Sequence, residues 1–185
     1  MIRDPAWNDS KRILCSALFG LKHYVKYSRA RRKITLKLIS HPNGFLRVTL
    51  SFEADGSQDR LHIWDVCGYE DGDIHQHGSD FSSTIIDGVM MEELYVAVDD
   101  EDGDYERWTV DCRVDPEGNY HVDESAPRVR CRALLKEVLM HHPGETYERT
   151  ASDLHKVTAV KVPLITRNKV GPKYLQGHSM LRKLP

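Results

Sequence analysis

From residue 33 onward, short runs of β-branched, aromatic and other apolar residues alternate with turn residues, at the spacing of an all-β protein. Turn signals fall at Pro42 to Gly44, at Asp55 and Gly56, at Asp102 and Gly103, at Pro116 to Gly118, and at Pro143 and Gly144. The runs between them predict strands over residues 34–39, 46–52, 60–66, 72–77, 81–87, 89–98, 108–114, 128–138, 144–147 and 155–165. Ten strands of this length make a closed barrel or a two-sheet sandwich. No helical period separates successive strands, which argues against a parallel α/β sheet. The one helical pattern comes first. Ile13, Leu14, Ala17, Leu18, Leu21, Tyr24 and Val25 recur every three or four residues, with Asn8, Asp9 or Ser10 placed to cap the N-terminus. The expected organisation is a single domain over 1–185, with a helical segment (1–32), a β-barrel (33–167) and a polar, irregular tail (168–185) lying over the body.

Composition supports a folded chain. At 185 residues, folding should bury roughly 70% of the unfolded surface, so the core needs no disulfide or metal staple. A net charge of −2 gives no general attraction to nucleic acid or to an anionic membrane. Charge is uneven along the chain: Lys22, Lys26, Arg29, Arg31, Arg32, Lys33 and Lys37 make the early part basic, and Asp99 to Glu106 form an acidic run. Such runs are usually solvated faces. A non-catalytic protein using the basic helix, with Tyr24 and Tyr27 interleaved, to bind nucleic acid or an acidic partner is the competing class; no nucleic-acid motif accompanies it, and the acidic run opposes a phosphate backbone. Cys15, Cys67, Cys112 and Cys131 are widely separated and read as reduced thiols. The apolar run at 13–21 is too short to span a bilayer, and the expectation is a cytoplasmic protein without membrane attachment.

Histidines carry the candidate chemistry. His75 and His77 stand two apart, so in extended chain both rings leave the same face while Ile74 and Gln76 leave the other. Two imidazoles so placed can chelate one ion, and imidazole suits zinc, copper, iron and nickel alike. The stretch from Gly72 through His75, His77 and Asp80 to Ser83, followed by Ile85, Ile86, Gly88, Glu93 and Tyr95, resembles the first motif of the cupin superfamily. Pro143, Gly144 and Tyr147, followed by Ala151 to His155 and Val157, resemble the second, which supplies a further histidine.

The resemblance implies a cupin-type double-stranded β-helix, or jelly roll, with His75, His77 and His155 as metal ligands. Many cupins add a glutamate four or five residues after the second histidine, where this chain has Phe81 and Ser82. The set is therefore similar to that of the three-histidine thiol dioxygenases. Asp80 is either a fourth ligand or an acceptor for an imidazole N–H. His141 and His142, beside a turn, and His178, in the expected tail, compete for the third place; His62 lines the cavity or an exposed face.

Two chemistries remain open at such a centre. Fe(2+) would support a dioxygenase acting on dioxygen and a small polar substrate such as a thiol or amino-acid derivative. Zn(2+) or Ni(2+) would support a Lewis-acid isomerase or lyase. Arg60, Trp64, Ser83, Tyr95 and Tyr147 are expected to face the lumen. Arg60 is the candidate clamp for a substrate carboxylate, Arg167 a weaker one, and Tyr95 and Tyr147 are candidate proton donors. Cupin pairing through sheet edges makes a homodimer an expectation.

Overall fold

The computed structural model describes residues 37–41, 44–65, 73–114, 120–174 and 177–185. All lie within the compact unit Leu36–Pro185. The predicted N-terminal helix, the basic run up to Lys33, and Cys15 and Cys67 fall outside the described residues. No helix among the described residues is long and apolar enough to cross a membrane.

Ten strands make up the described architecture: β1 (Lys37–Ser40), β2 (Leu46–Phe52), β3 (Gln58–Trp64), β4 (Ile74–His75), β5 (Phe81–Asp99), β6 (Tyr105–Val114), β7 (Tyr120–His141), β8 (Thr146–Arg149), β9 (Leu154–Val170) and β10 (His178–Lys183). They join in the order β1-β2-β3-β9-β4-β10-β6-β7-β5-β8, and a further β9–β5 pairing closes β9, β4, β10, β6, β7 and β5 into a ring. Closure leaves those six strands without a free edge. Side chains from all six meet on one face, where Ile74, Cys131, Leu154 and Leu181 are buried with Tyr95, Ala97, Tyr105 and Ala133 packed around them. A second core forms on the other face, where Phe45, Trp64, Ile85, Met90, Val157, Ala159 and Leu164 come together.

β5 and β9 each change phase halfway along, which keeps both halves of each strand facing the second core. Phe81, Ser83 and Ile85 are the buried positions of β5 before the bulge at Asp87 and Gly88, and Met90 and Glu92 after it. On β9 the set passes from Val157 and Ala159 to Leu164, Thr166 and Asn168. A one-residue slip moves every following side chain to the other face. The sequence pattern divides β5 into two strands at Gly88; the structure instead runs one strand through it, because Gly88 adopts φ +84° and turns the chain without ending the ladder.

The expected tail is also corrected. β9 extends to Val170, and residues 178–183 form β10, which pairs with β4 and β6 and buries Leu181 completely. Met180 and Leu181 are the apolar residues of β10 and stand side by side among polar and charged ones, so no alternation announced a strand.

A Cβ added at Gly88 would stand 2.5 Å from the Lys161 carbonyl and 2.6 Å from that of Pro163, whereas at Gly56, also at positive φ, it would meet nothing within 4 Å. Gly88→Ala should therefore destabilise the protein by about 2 to 3 kcal/mol, and Gly56→Ala by about 1 kcal/mol. Urea unfolding of the two variants checks this, and equal shifts in midpoint would contradict it.

Candidate metal centre

β4 is only two residues long, yet it delivers the histidines because it lies between β9 and β10. His75 pairs directly with His155 of β9 on one side and with Met180 of β10 on the other. Gln76 pins the segment that follows: its Nε2 donates to the Ser152 carbonyl at 2.7 Å, and its Oε1 accepts from the Ser179 N–H at 3.0 Å. Ile74 goes into the ring core and His75 leaves the opposite face, as alternation requires.

The rings of His75, His77 and His155 converge. Their centroids are 4.9 to 5.1 Å apart, and one nitrogen from each lies within 4.8 Å of the others. Phe81 closes one side, 4.7 Å from His77 and 6.0 Å from His155. Burial, followed by the neighbouring His155, lowers His75 to about 3, and the same two causes hold His77 well below the usual histidine range. Both are therefore neutral at physiological pH, which is the form that offers a lone pair to a metal.

Hydrogen bonds set which nitrogen carries that lone pair. His75 Nδ1 lies 3.1 Å from the Asp73 carbonyl, to which it can only donate, so Nε2 is bare. His155 Nδ1 donates to Glu92 Oε1 at 2.6 Å, which turns its Nε2 toward His77 Nε2 at 2.7 Å. Two imidazole nitrogens at that distance need a proton or a cation between them.

Glu92 is completely buried, and four donors occupy its carboxylate. Oε1 accepts from His155 Nδ1 and from Arg149 Nε at 3.0 Å; Oε2 accepts from Arg149 Nη2 at 2.6 Å and His141 Nε2 at 2.9 Å. Burial on its own would raise this carboxyl, but the hydrogen bonds from His155, Arg149 and His141 and the electrostatics of His155 bring it down to about 2. The group thus stays ionised and holds His155 in one tautomer and one orientation, the arrangement that tunes a metal-binding imidazole from behind. Sequence reasoning missed Glu92 and Arg149, and it considered His141 only as a competing ligand. The available signal was a carboxylate two positions from Met90 on a strand; apolar residues on both phases of that strand concealed it.

Other predicted site residues are dispersed. Asp80 is exposed, and its carboxylate accepts from the Ala151 N–H at 2.7 Å and from the Tyr174 hydroxyl, tying two loops together apart from the three rings. Tyr147 stays near: its ring stacks on His141 at 4.2 Å, lies 6.1 Å from Phe81, and its hydroxyl donates to the Met90 sulfur. Tyr95, expected on the same side, packs in the ring core instead, because three residues along a strand from Glu92 is the opposite face. Arg60 lies on β3 opposite Asn168, with Nε donating to Gln58. Arg167 pairs with Asp59. His62 and Trp64 face the second core beside Phe45, His142 is exposed, and His178 lies on β10 opposite Val110.

No protein-family model matches the sequence, and no curated protein matches it. Among solved structures, the chain is similar to KdgF from Halomonas sp. at 16% identity and TM-score 0.42, covering 76% of this chain and 89% of that one. It is similar to hydroxypropylphosphonic acid epoxidase from S. wedmorenis at 10% identity and TM-score 0.43, over 76% of this chain and 59% of that one. The hydroquinone 1,2-dioxygenase PnpCD gives 11% identity and TM-score 0.40, over 69% and 65%. At these values the likenesses assign neither family nor activity. What the residues define by themselves is an all-β protein with three converging imidazoles, one of them backed by a buried carboxylate.

Replacing Glu92 by leucine would leave the Arg149 guanidinium without its buried partner. The cost should be about 3 to 5 kcal/mol in urea unfolding. A loss under about 1 kcal/mol would show that the carboxylate does not hold these strands together.

Proposed function

We propose that this chain is a metal-dependent enzyme of the cupin type, a non-haem iron dioxygenase acting on a small polar substrate such as a thiol or amino-acid derivative. The convergence of His75, His77 and His155, with His75 and His155 each oriented by a hydrogen bond at Nδ1, carries the reading. The donor set fits a first-row transition ion, since neutral imidazoles suit zinc, copper, iron and nickel. The resemblance of the two histidine segments to cupin motifs, and to the three-histidine thiol dioxygenases, supports iron among these. Iron(II) bound there would supply electrons to dioxygen, so that both oxygen atoms enter the substrate.

The chain's own groups prepare that chemistry. Glu92 fixes the His155 ring, and Gln76 fixes the backbone between the other two ligands. Phe81 shields one side of the cluster from water, which strengthens electrostatic interactions within it. Tyr147 lies beyond Phe81, and its hydroxyl, on the weak acceptor Met90 Sδ, is a group that could donate to a substrate oxygen instead. With three protein ligands and no carboxylate among them, positions on the ion are left for substrate and dioxygen. Asp80 acts outside this set, as the anchor for Ala151 and Tyr174.

Metal analysis of the purified full-length chain tests the assignment. Near one equivalent of iron is expected in the wild type and in His178→Ala, with a loss of most of it in His75→Ala and His155→Ala, and oxygen uptake with small thiols or amino acids. Equal metal in all four proteins would contradict the ligand set. Zinc or nickel at that ratio without oxygen uptake would replace the dioxygenase by a Lewis-acid isomerase or lyase.

A further inference from the structure

Two of the three converging rings are aimed by a hydrogen bond on the side away from the cluster, and the third is not. His75 Nδ1 bonds to the Asp73 carbonyl and His155 Nδ1 to Glu92. Among the described residues the His77 ring has one hydrogen-bond partner, His155 Nε2, which belongs to the cluster itself. The His77 backbone N–H reaches the Ala151 carbonyl only at 3.4 Å, beyond the usual range for such a bond. Metal-binding histidines almost always donate their second ring N–H to an acceptor, which fixes the ring. Where that bond is missing, the order has to come from the neighbouring chain.

That chain is clamped by a segment from the far end of the sequence. Beyond the end of β9 at Val170, residues 171–174 bond to the loop that follows His77. The Gly171 N–H donates to the Asp80 carbonyl at 2.9 Å, and the Tyr174 N–H donates to the Gly78 carbonyl at 3.1 Å. The Tyr174 hydroxyl donates to Asp80 Oδ1, the same oxygen that accepts from the Ala151 N–H at 2.7 Å. Lys173 lays its stem against Gly78, where an added Cβ would stand 3.2 Å from its Cγ and Cε, and its ammonium pairs with Asp111 of β6. Pro172 has its φ fixed by its own ring, which lowers the freedom lost in holding the segment in place. The clamped loop runs from Gly78 to Asp80 and joins His77 to Phe81, the ring packed against it.

We propose that residues 171–174 form a strap that positions His77, with Tyr174 and Asp80 as its latch. A hydroxyl on a carboxylate is a hydrogen bond of the stronger, charge-assisted kind. Without it the two backbone bonds remain, so the loop loosens while the fold persists. An ion held by three imidazoles departs when one of them lets go, and His77 is the ring with no outer bond of its own, so the latch sets how long the ion stays. The inference deepens the metal reading and rests on it for the word ion. The hold of strap on loop depends only on this chain.

Two measurements on the full-length protein test it. In the first, cobalt(II) is loaded and its release into excess chelator is followed by its visible absorption. Tyr174→Phe and Asp80→Ala should each release the ion at least fivefold faster than the wild type, whereas Asp80→Asn, whose Oδ1 still accepts both bonds, should stay within twofold of it. In the second, amide hydrogen exchange is compared in the metal-free proteins. Exchange at His77 and Ala151 should be at least threefold faster in Tyr174→Phe, with no change at Ala159 in the second core. The inference is overturned by wild-type release from Tyr174→Phe, by Asp80→Asn releasing as fast as Asp80→Ala, by exchange unaltered at His77 and Ala151, or by an equal rise at Ala159. A protein that takes up no cobalt fails the metal reading alone, and the exchange rates then decide the strap by themselves.

Discussion

A single ionised carboxylate sealed inside the protein is the constraint on which the site depends. Glu92 lies on β5, and its four donors come from β7, β8 and β9, so one side chain fixes the relative placement of four strands. Such a charge is tolerable only because every lone pair is occupied and Arg149 supplies the opposing charge. Its orienting role follows from the same bonds. His155 cannot rotate or change tautomer without abandoning a 2.6 Å hydrogen bond to a buried anion, and its Nε2 is thereby aimed at His77. His141 and Tyr147, stacked together, extend the network toward Phe81.

Strand geometry brings that carboxylate to the histidines. β5 and β9 run side by side along most of their length, and both change phase near Gly88 and Leu164, where a Cβ on Gly88 would stand 2.7 Å from the Leu164 Cα. Before the bend on β5 the inward residues are Phe81, which covers the cluster, and Ser83; after it they are Met90 and Glu92, which line the core and buttress His155. Gly88 is what allows one strand to do both.

Much of the strand pattern was legible because alternation and turns are local properties. The span 46–52 was read from the sequence with the bounds that β2 has in the structure, and His75 and His77 were visible because a spacing of two is a same-face signal in any strand. What stayed hidden needed pairing information. β10 has little alternation of its own and becomes a strand because β4 and β6 offer it their edges. Gly88 looked like a turn because a glycine at a bulge and a glycine between strands have the same sequence signature. Tyr95 was placed on the wrong face and Glu92 was passed over for one reason: Val89, Met90, Met91, Leu94, Tyr95 and Val96 put apolar residues on both phases, and only the cross-strand partners decide which phase faces the histidines.

The central claim is that three imidazoles, and no carboxylate, hold one metal ion. X-ray absorption at the metal edge of the full-length protein loaded with iron(II) tests it most directly, because multiple scattering counts imidazole ligands. The account predicts three imidazoles in the wild type and in Asp80→Asn, and two in His155→Ala. Two or fewer in the wild type, or a first shell that changes when Asp80 is replaced, would contradict it.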